Sequence, residues 1–226
     1  MIPWTLLAKA PIPGGGEMRL MRRDREFSIR LGAAELMNSR LSGSEEALAA
    51  LACARIAARA RLRILIGGLG MGFTLRAALR ALDASARVEV AELIAAVVHW
   101  AQGPMAELFA GSLIDPRVKI ELADVAEIIR AAASRYDAIL LDVDNGPEGL
   151  TREANDRLYD ARGLAAACAA LKIGGVLAVW SARPDRRFAH RLRDAGFATE
   201  ELSVRARDGR GARRTIWIAT RRARAR

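Results

Sequence analysis

Residues 63–76, Arg-Ile-Leu-Ile-Gly-Gly-Leu-Gly-Met-Gly-Phe-Thr-Leu-Arg, constrain the fold of this chain more than any other stretch. A short apolar run ends in a glycine turn (Gly67, Gly68, Gly70, Gly72) and passes directly into a helical pattern. In an open parallel α/β sheet such a turn lies at the carboxyl end of a strand, where ligands bind. Glycines there let the backbone bend sharply and approach a ligand, and the helix start supplies unpaired N–H groups. Taken alone the pattern is equally an ordinary strand-to-helix turn. The surrounding chain decides between the two.

From Arg63 onward, strand and helix patterns alternate. The expected strands are 63–66, 87–91, 118–122, 136–141 and 176–180. The expected helices are 73–82, 93–108, 124–133, 155–171 and 184–195. Two extended runs, 198–204 and 215–220, follow and are joined by a polar loop, 207–213. This order predicts an α/β, doubly wound Rossmann-like domain. Its sheet is mostly parallel and seven-stranded, with an antiparallel edge. Upstream, 45–61 reads as a helix with Ser44 as N-cap and Glu45 and Glu46 in the first turn, where the helix dipole favours acids. Alternating runs at 17–21 and 26–31 predict a short N-terminal β-hairpin, and the Pro- and Gly-rich residues 1–16 predict a loosely ordered arm. The expected division is therefore 1–43, arm and hairpin, and 44–226, the Rossmann-like domain.

Composition narrows the function classes. Apolar residues make up 52% of the 226, enough for a sizeable core. No apolar run reaches the ~18 residues that span a bilayer, so no membrane partner is expected. Residues 1–4 show no secretory pattern. Cys53 and Cys168 sit in Ala-rich helical stretches without metal-ligand spacing. They read as free thiols in a cytoplasmic protein, with no metal site. The net charge of +10 is carried largely by arginines crowded towards the C-terminus, from Arg205 to Arg226. A solvated basic edge accounts for them, and nucleic acid is the alternative partner.

The candidate chemistry lies where strands end. Glu92 closes the strand after the glycine turn, Asp124 follows the next, and Asp142 and Asp144 follow 136–141. A carboxylate at the first position can accept hydrogen bonds from both hydroxyls of a ribose, and one at the second from the exocyclic amine of a base. Any one of these acids could be a helix cap. Their conjunction at one edge of a sheet points to a nucleoside with a neutral or cationic tail. His99 reads as a half-buried helical residue, His190 as exposed, and Trp180 as a core or rim aromatic beside the crevice.

Gly67-Gly68-Leu69-Gly70-Met71-Gly72, Val88–Leu93, Asp115-Pro116-Arg117-Val118 with Asp124, Tyr136–Asp142 and Leu171–Leu177 follow in the order and spacing of the spermidine synthases. The chain resembles that family over residues 17–200, and with it the S-adenosylmethionine-dependent methyltransferase fold. The resemblance implies that Gly67, Gly68, Gly70 and Gly72 hold the amino-acid or aminopropyl tail, Glu92 the ribose and Asp124 the adenine. It implies that Asp142 is catalytic, taking a proton from the attacking amine. Asp144 is the second candidate catalytic acid. The chain departs from the family at three places. Gly70 replaces an aspartate, Asn145 a second acid, and the loop at Ser44-Glu45-Glu46 lacks the family's aromatic and histidine. These changes tilt the acceptor away from a polyamine.

The expected function is a transferase that binds S-adenosylmethionine or decarboxylated S-adenosylmethionine and passes a methyl or aminopropyl group to a small-molecule acceptor, an amine. The resemblance also implies a homodimer. The alternatives are a nucleic-acid-directed methyltransferase using the Arg-rich edge, and a non-catalytic nucleoside-binding protein.

Overall fold

The computed structural model describes residues 2–12, 15–143, 157–207 and 210–223. Two sheets make up the frame. The first is antiparallel, in order β1-β2-β3-β4, formed by β1 (Thr5–Pro11), β2 (Glu17–Arg23), β3 (Glu26–Leu31) and β4 (Ala34–Asn38). The second has seven strands: β5 (Arg63–Gly67), β6 (Arg87–Glu92), β7 (Val118–Leu122), β8 (Tyr136–Leu141), β9 (Leu171–Ser181), β10 (Phe197–Arg207) and β11 (Arg210–Arg221). Their order is β10-β11-β9-β8-β5-β6-β7. Strands β9-β8-β5-β6-β7 run parallel, and β11 pairs antiparallel with both β9 and β10. The α/β class, the seven strands and the antiparallel edge are as the sequence predicts.

The central strands are nearly uniform in apolar character because both faces are covered. Every residue of β8 is buried. Alternate side chains divide between two cores. Ile64, Ile66, Ala138 and Leu140 face α1 (Gly43–Ile56), α2 (Phe73–Ala81) and α3 (Ala95–Gln102). Leu65, Ile139 and Leu141 face the other helices of the sheet, α5 (Val125–Ala131), α6 (Ala161–Ala170) and α7 (Arg186–Asp194). A short α4 (Ala106–Phe109) follows α3. Trp217 of β11 packs edge-on against Phe188 of α7, centroids 4.8 Å apart, and Phe188 likewise meets Tyr159 at 5.6 Å. Burial of each such ring stabilises the outer layer by roughly 1.5–3 kcal/mol.

The N-terminal region is more ordered than the sequence suggests. The arm contains β1, and with β4 the expected hairpin becomes four strands. Pro11 ends an edge strand, where its missing N–H breaks no ladder. Residues of this sheet, among them Leu20, Phe27 and Ile29, are buried in the same cluster as Leu48 and Ala52 of α1. Helix boundaries also move. Helix α1 begins at Gly43 with Ser42 at the cap and ends at Ile56, well short of Arg61, whose φ of +51° cannot continue a helix. A Cβ on Gly43 would lie 3.2 Å from the Ala206 carbonyl, so the helix starts where it docks on β10. Ser44 does not cap. The expected helix 93–108 is broken at Gly103 and Pro104, which lacks the N–H a helix interior needs. The chain turns to strand at Leu171, so β9 runs ahead of Gly174-Gly175 rather than starting after it, and β10 and β11 extend into the expected loop 207–213.

Two acids that resemble the candidate site residues are structural. Asp137, 2% exposed, accepts from Arg59 (3.0 Å), Lys172 (2.7 Å) and the Arg63 N–H (2.9 Å) at the amino ends of the strands. Burial opposes its charge, but these partners hold its carboxyl below the usual range. Asp115 is chelated by Arg117, which holds it down to about 2. Arg117 in turn donates to the Leu79 and Leu82 carbonyls at 3.0 and 2.7 Å, closing the C-terminus of α2.

Candidate active site

The crevice opens where β5 separates β6 from β8, the point at which chain order reverses and ligands bind in such sheets. A cavity of about 200 Å³ lies there. Its floor is the glycine turn. One wall carries Glu92 and Asp124, the other Glu45 and Asp142. A roof comes from the N-terminal sheet through Met18, Leu31, Leu36 and Met37.

Glycine geometry explains how the turn closes. Gly68 has φ +91°, and a Cβ there would lie 2.4 Å from the Asp142 carbonyl oxygen. The turn therefore presses against the chain leaving β8. The Asp142 N–H donates to the Gly67 carbonyl at 3.0 Å, and the Gly68 N–H to that of Ala91 at 2.9 Å. The ends of β5, β6 and β8 are tied into one rigid edge.

Glu92 is 8% exposed. Its Oε2 accepts from the Leu69 N–H and its Oε1 from the Ile94 N–H, both at 2.9 Å. Burial pushes its carboxyl above the usual range, against these N–H groups, which favour the charge. The N–H groups of Gly70 and Leu93 also favour its charge, so the carboxylate is aimed into the cavity by backbone. Asp124 is half-buried. Its Oδ1 caps α5 by accepting from the Ala126 N–H at 2.8 Å, and Oδ2 has no donor among the described residues. The helix-cap reading and the crevice position hold together.

Asp142 accepts a hydrogen bond on Oδ2 from Thr74 Oγ1 at 2.6 Å. Burial, then the neighbouring charge of Glu45, raise its carboxyl to about 7, against the Thr74 hydroxyl. Glu45 itself is raised by burial, with Ser44, Arg214 and its own N–H opposing. Its Oε2 accepts from Ser44 Oγ at 2.6 Å. Glu45 lines the cavity and Thr74 holds Asp142; the sequence marks the loop that carries Glu45, through its place in the family resemblance, while the helical Thr74 carries no signal. The loop at Ser44-Glu45-Glu46 does border the crevice.

The structure thus brings together Gly68, Gly70, Gly72, Glu92, Asp124 and Asp142 around one cavity, with Gly67 tied to Asp142 directly beneath it. Asp144 lies outside the described residues, as do Asn145 to Pro147. Trp180 is buried, lines the cavity and lies under the Arg214 guanidinium, 5.7 Å from its ring centroid. His99 is exposed rather than half-buried, since it lies on the side of α3 opposite Val97 and Trp100. His190 is exposed as expected. Cys53 is buried, its thiol pushed up to about 11, and Cys168 is half-buried; both are free. Arg205 and Arg213 are exposed on the outer hairpin, and Arg214 turns inward. Among the described residues no helix is long and apolar enough to cross a membrane, and no three His, Cys, Asp or Glu side chains are placed to hold a metal ion.

No protein-family model matches the chain. It is 30% identical over 154 residues to the polyamine aminopropyltransferase of Mycobacterium tuberculosis (strain CDC 1551 / Oshkosh), across 64% of this chain and 28% of that protein. It is also 30% identical over 145 residues to polyamine aminopropyltransferase 1 of Streptomyces coelicolor, across 62% and 27%. The chain therefore matches less than a third of these curated relatives' length. Among solved structures, it superposes on a spermidine synthase in complex with the transition-state analogue AdoDATO with a TM-score of 0.75. The identity is 19%, over 96% of this chain and 72% of that one. Spermidine synthase from Thermotoga maritima gives 0.75 at 18%, with the same coverage. TrmN from Thermus thermophilus gives 0.54 at 22%, over 78% and 48%. In fold the chain is similar to the spermidine synthases and to TrmN, and over part of its length it is similar in sequence to the polyamine aminopropyltransferases.

Proposed function

We propose that the chain is an aminopropyl transferase that takes decarboxylated S-adenosylmethionine and an amine acceptor of the polyamine class. One observation carries this reading. In a protein of net charge +10, the described lining of the cavity has four carboxylates, Glu45, Glu92, Asp124 and Asp142, and no Lys, Arg or His. Such a cavity favours a ligand with cationic groups, a sulfonium and an ammonium, and penalises a carboxylate on the tail. The names of the similar proteins support the same chemistry. Methyl transfer from the carboxylated cofactor, left open by the sequence, has no cationic partner for its carboxylate among the described lining residues.

The residues present fit the group. In this reading Glu92, aimed by the Leu69 and Ile94 N–H groups, holds the ribose hydroxyls, and Asp124 Oδ2 takes the adenine amine. Gly68, Gly70 and Gly72 let the turn pack closely enough to line the cavity, and the tail lies along it. The bound co-substrate supplies an electrophilic carbon beside its sulfonium. Asp142 faces the incoming amine. An ammonium has no lone pair, so the acceptor must lose a proton before it can attack, and a carboxylate raised to about 7 is matched to that task near neutral pH. Thr74 fixes the carboxylate's orientation.

The test is binding of methylthioadenosine by calorimetry, before and after Glu92→Ala. A charge-assisted contact to two hydroxyls is worth about 1.5–3 kcal/mol, so affinity falls roughly 10- to 100-fold. Equal affinity in the variant, with the fold intact, removes the crevice from the account.

A further inference from the structure

We infer that Glu45 is the second carboxylate of the acceptor site, so that Glu45 and Asp142 together clasp the reacting ammonium of the amine. The inference rests on the aminopropyl-transferase reading above. It answers a difficulty in that reading. Two acids expected from the resemblance are missing from the sequence, replaced by Gly70 and Asn145. Glu45 stands at a different place, in the first turn of α1.

Several observations converge on it. Glu45 and Asp142 line the same cavity although they come from α1 and from the end of β8. Thr74 links the two segments: its hydroxyl lies 2.6 Å from Asp142 Oδ2 and 3.4 Å from the Glu45 carbonyl oxygen. Each carboxylate has one oxygen held by a buried hydroxyl, Ser44 for Glu45 and Thr74 for Asp142. Ser44 and Thr74 are 1% and 3% exposed, so these hydroxyls are not spent on solvent. The other oxygen of Asp142 has no donor among the described residues. Glu45 and Asp142 line one cavity and feel each other's charge, and two like charges so placed are costly unless a proton or a cation is shared. A substrate ammonium supplies both, with three donors in a compact group.

The surrounding charges fit a clasp for a single cation. Arg214 of β11, over Trp180, is the basic group facing Glu45 and favours its charged form. Glu46, on the same helix, disfavours it and is paired with Arg80 of α2 at 3.1 Å. Glu92 and Asp124 lie on the far wall. Beyond the pair, the described roof is mainly apolar, through Leu31, Leu36 and Met37, with Asn38 of β4 as its polar lining residue. The substrate class is thus an amine presented as its ammonium, with an alkyl chain against that roof.

The experiment is calorimetric titration of the methylthioadenosine-saturated protein with 1,4-diaminobutane and with n-butylamine, for wild type and Glu45→Gln, at pH 7 in two buffers of different ionisation enthalpy. Methylthioadenosine affinity serves as the control for folding. The expected result is amine binding weakened at least tenfold by Glu45→Gln, unchanged methylthioadenosine affinity, and a proton released on amine binding by wild type that the variant does not release. Unchanged amine affinity in a variant that still binds methylthioadenosine overturns the role of Glu45 and leaves the functional reading standing. A wild-type protein that binds neither methylthioadenosine nor amine overturns both.

Discussion

Replacing Asp142 with asparagine is expected to lower kcat by about 10²- to 10⁴-fold, the ordinary contribution of a positioned general base. Asparagine keeps the size and can still accept from Thr74, but it cannot take a proton from the amine. Methylthioadenosine affinity should change little. The pH profile separates this loss from a structural one. In the free protein, burial and Glu45 raise the Asp142 carboxyl to about 7. Wild-type kcat/KM therefore climbs as pH rises from 5 through 7 and then levels, while the residual activity of Asp142→Asn lacks that limb. The same shift has a consequence for stability. Between the ordinary carboxylate value and about 7, the folded chain holds a proton that the unfolded chain has released. By linkage, this group's contribution to stability falls as pH rises through that window. A bound cation in the pair offsets the loss, so ligand-induced stabilisation by an amine should be larger at pH 8 than at pH 5. Thermal unfolding with and without 1,4-diaminobutane measures it.

Gly68→Ala is expected to be the most damaging small substitution in the crevice. Its left-handed backbone, φ +91°, costs an L-residue roughly 1–2 kcal/mol. The added methyl would also lie 2.4 Å from the Asp142 carbonyl oxygen, and backbone cannot rotate aside as a side-chain tip can. A total loss of about 3 kcal/mol lies high in the ordinary range for point substitutions. For a chain of this size it lowers Tm by about 6–12 °C. Because the displaced atom belongs to Asp142, turnover should fall with stability. Gly196→Ala is the control. Gly196 has the same φ of +91° but nothing within 4 Å of its Cβ position, so it carries the strain without the collision. Scanning calorimetry of the two variants separates the terms, and equal Tm losses would contradict the close packing of the turn on Asp142.

The parallel sheet was legible because buried strands such as 63–67 and 136–141 are short continuous apolar runs between helical patterns. Glu92, Asp124 and Asp142 were legible because acids stand where those runs stop. Position at the strand end separates them from Asp137 and Asp115, whose partners Lys172, Arg59 and Arg117 come from elsewhere in the fold or the next turn. What sequence did not disclose depends on tertiary contact. β1 is an edge strand whose single buried residue, Ala10, leaves little periodicity to read. The resemblance marks the loop that carries Glu45, but Glu45 itself is indistinguishable from a helix-dipole acid until α1 is docked against β8 and β10. Thr74 is a plain helical residue until its hydroxyl meets Asp142. The break at Gly103 and Pro104 was present in the residues, and the expected helix ran through it because apolar spacing continued on both sides.

The most direct test of the account is a calorimetric comparison of decarboxylated S-adenosylmethionine with S-adenosylmethionine at neutral pH. The two differ by one carboxylate on a tail that would lie near Glu45 and Asp142. If the acidic cavity selects a cationic tail, the decarboxylated form binds at least tenfold more tightly. Equal or tighter binding of the carboxylated form would contradict the account and return methyl transfer as the activity of this crevice.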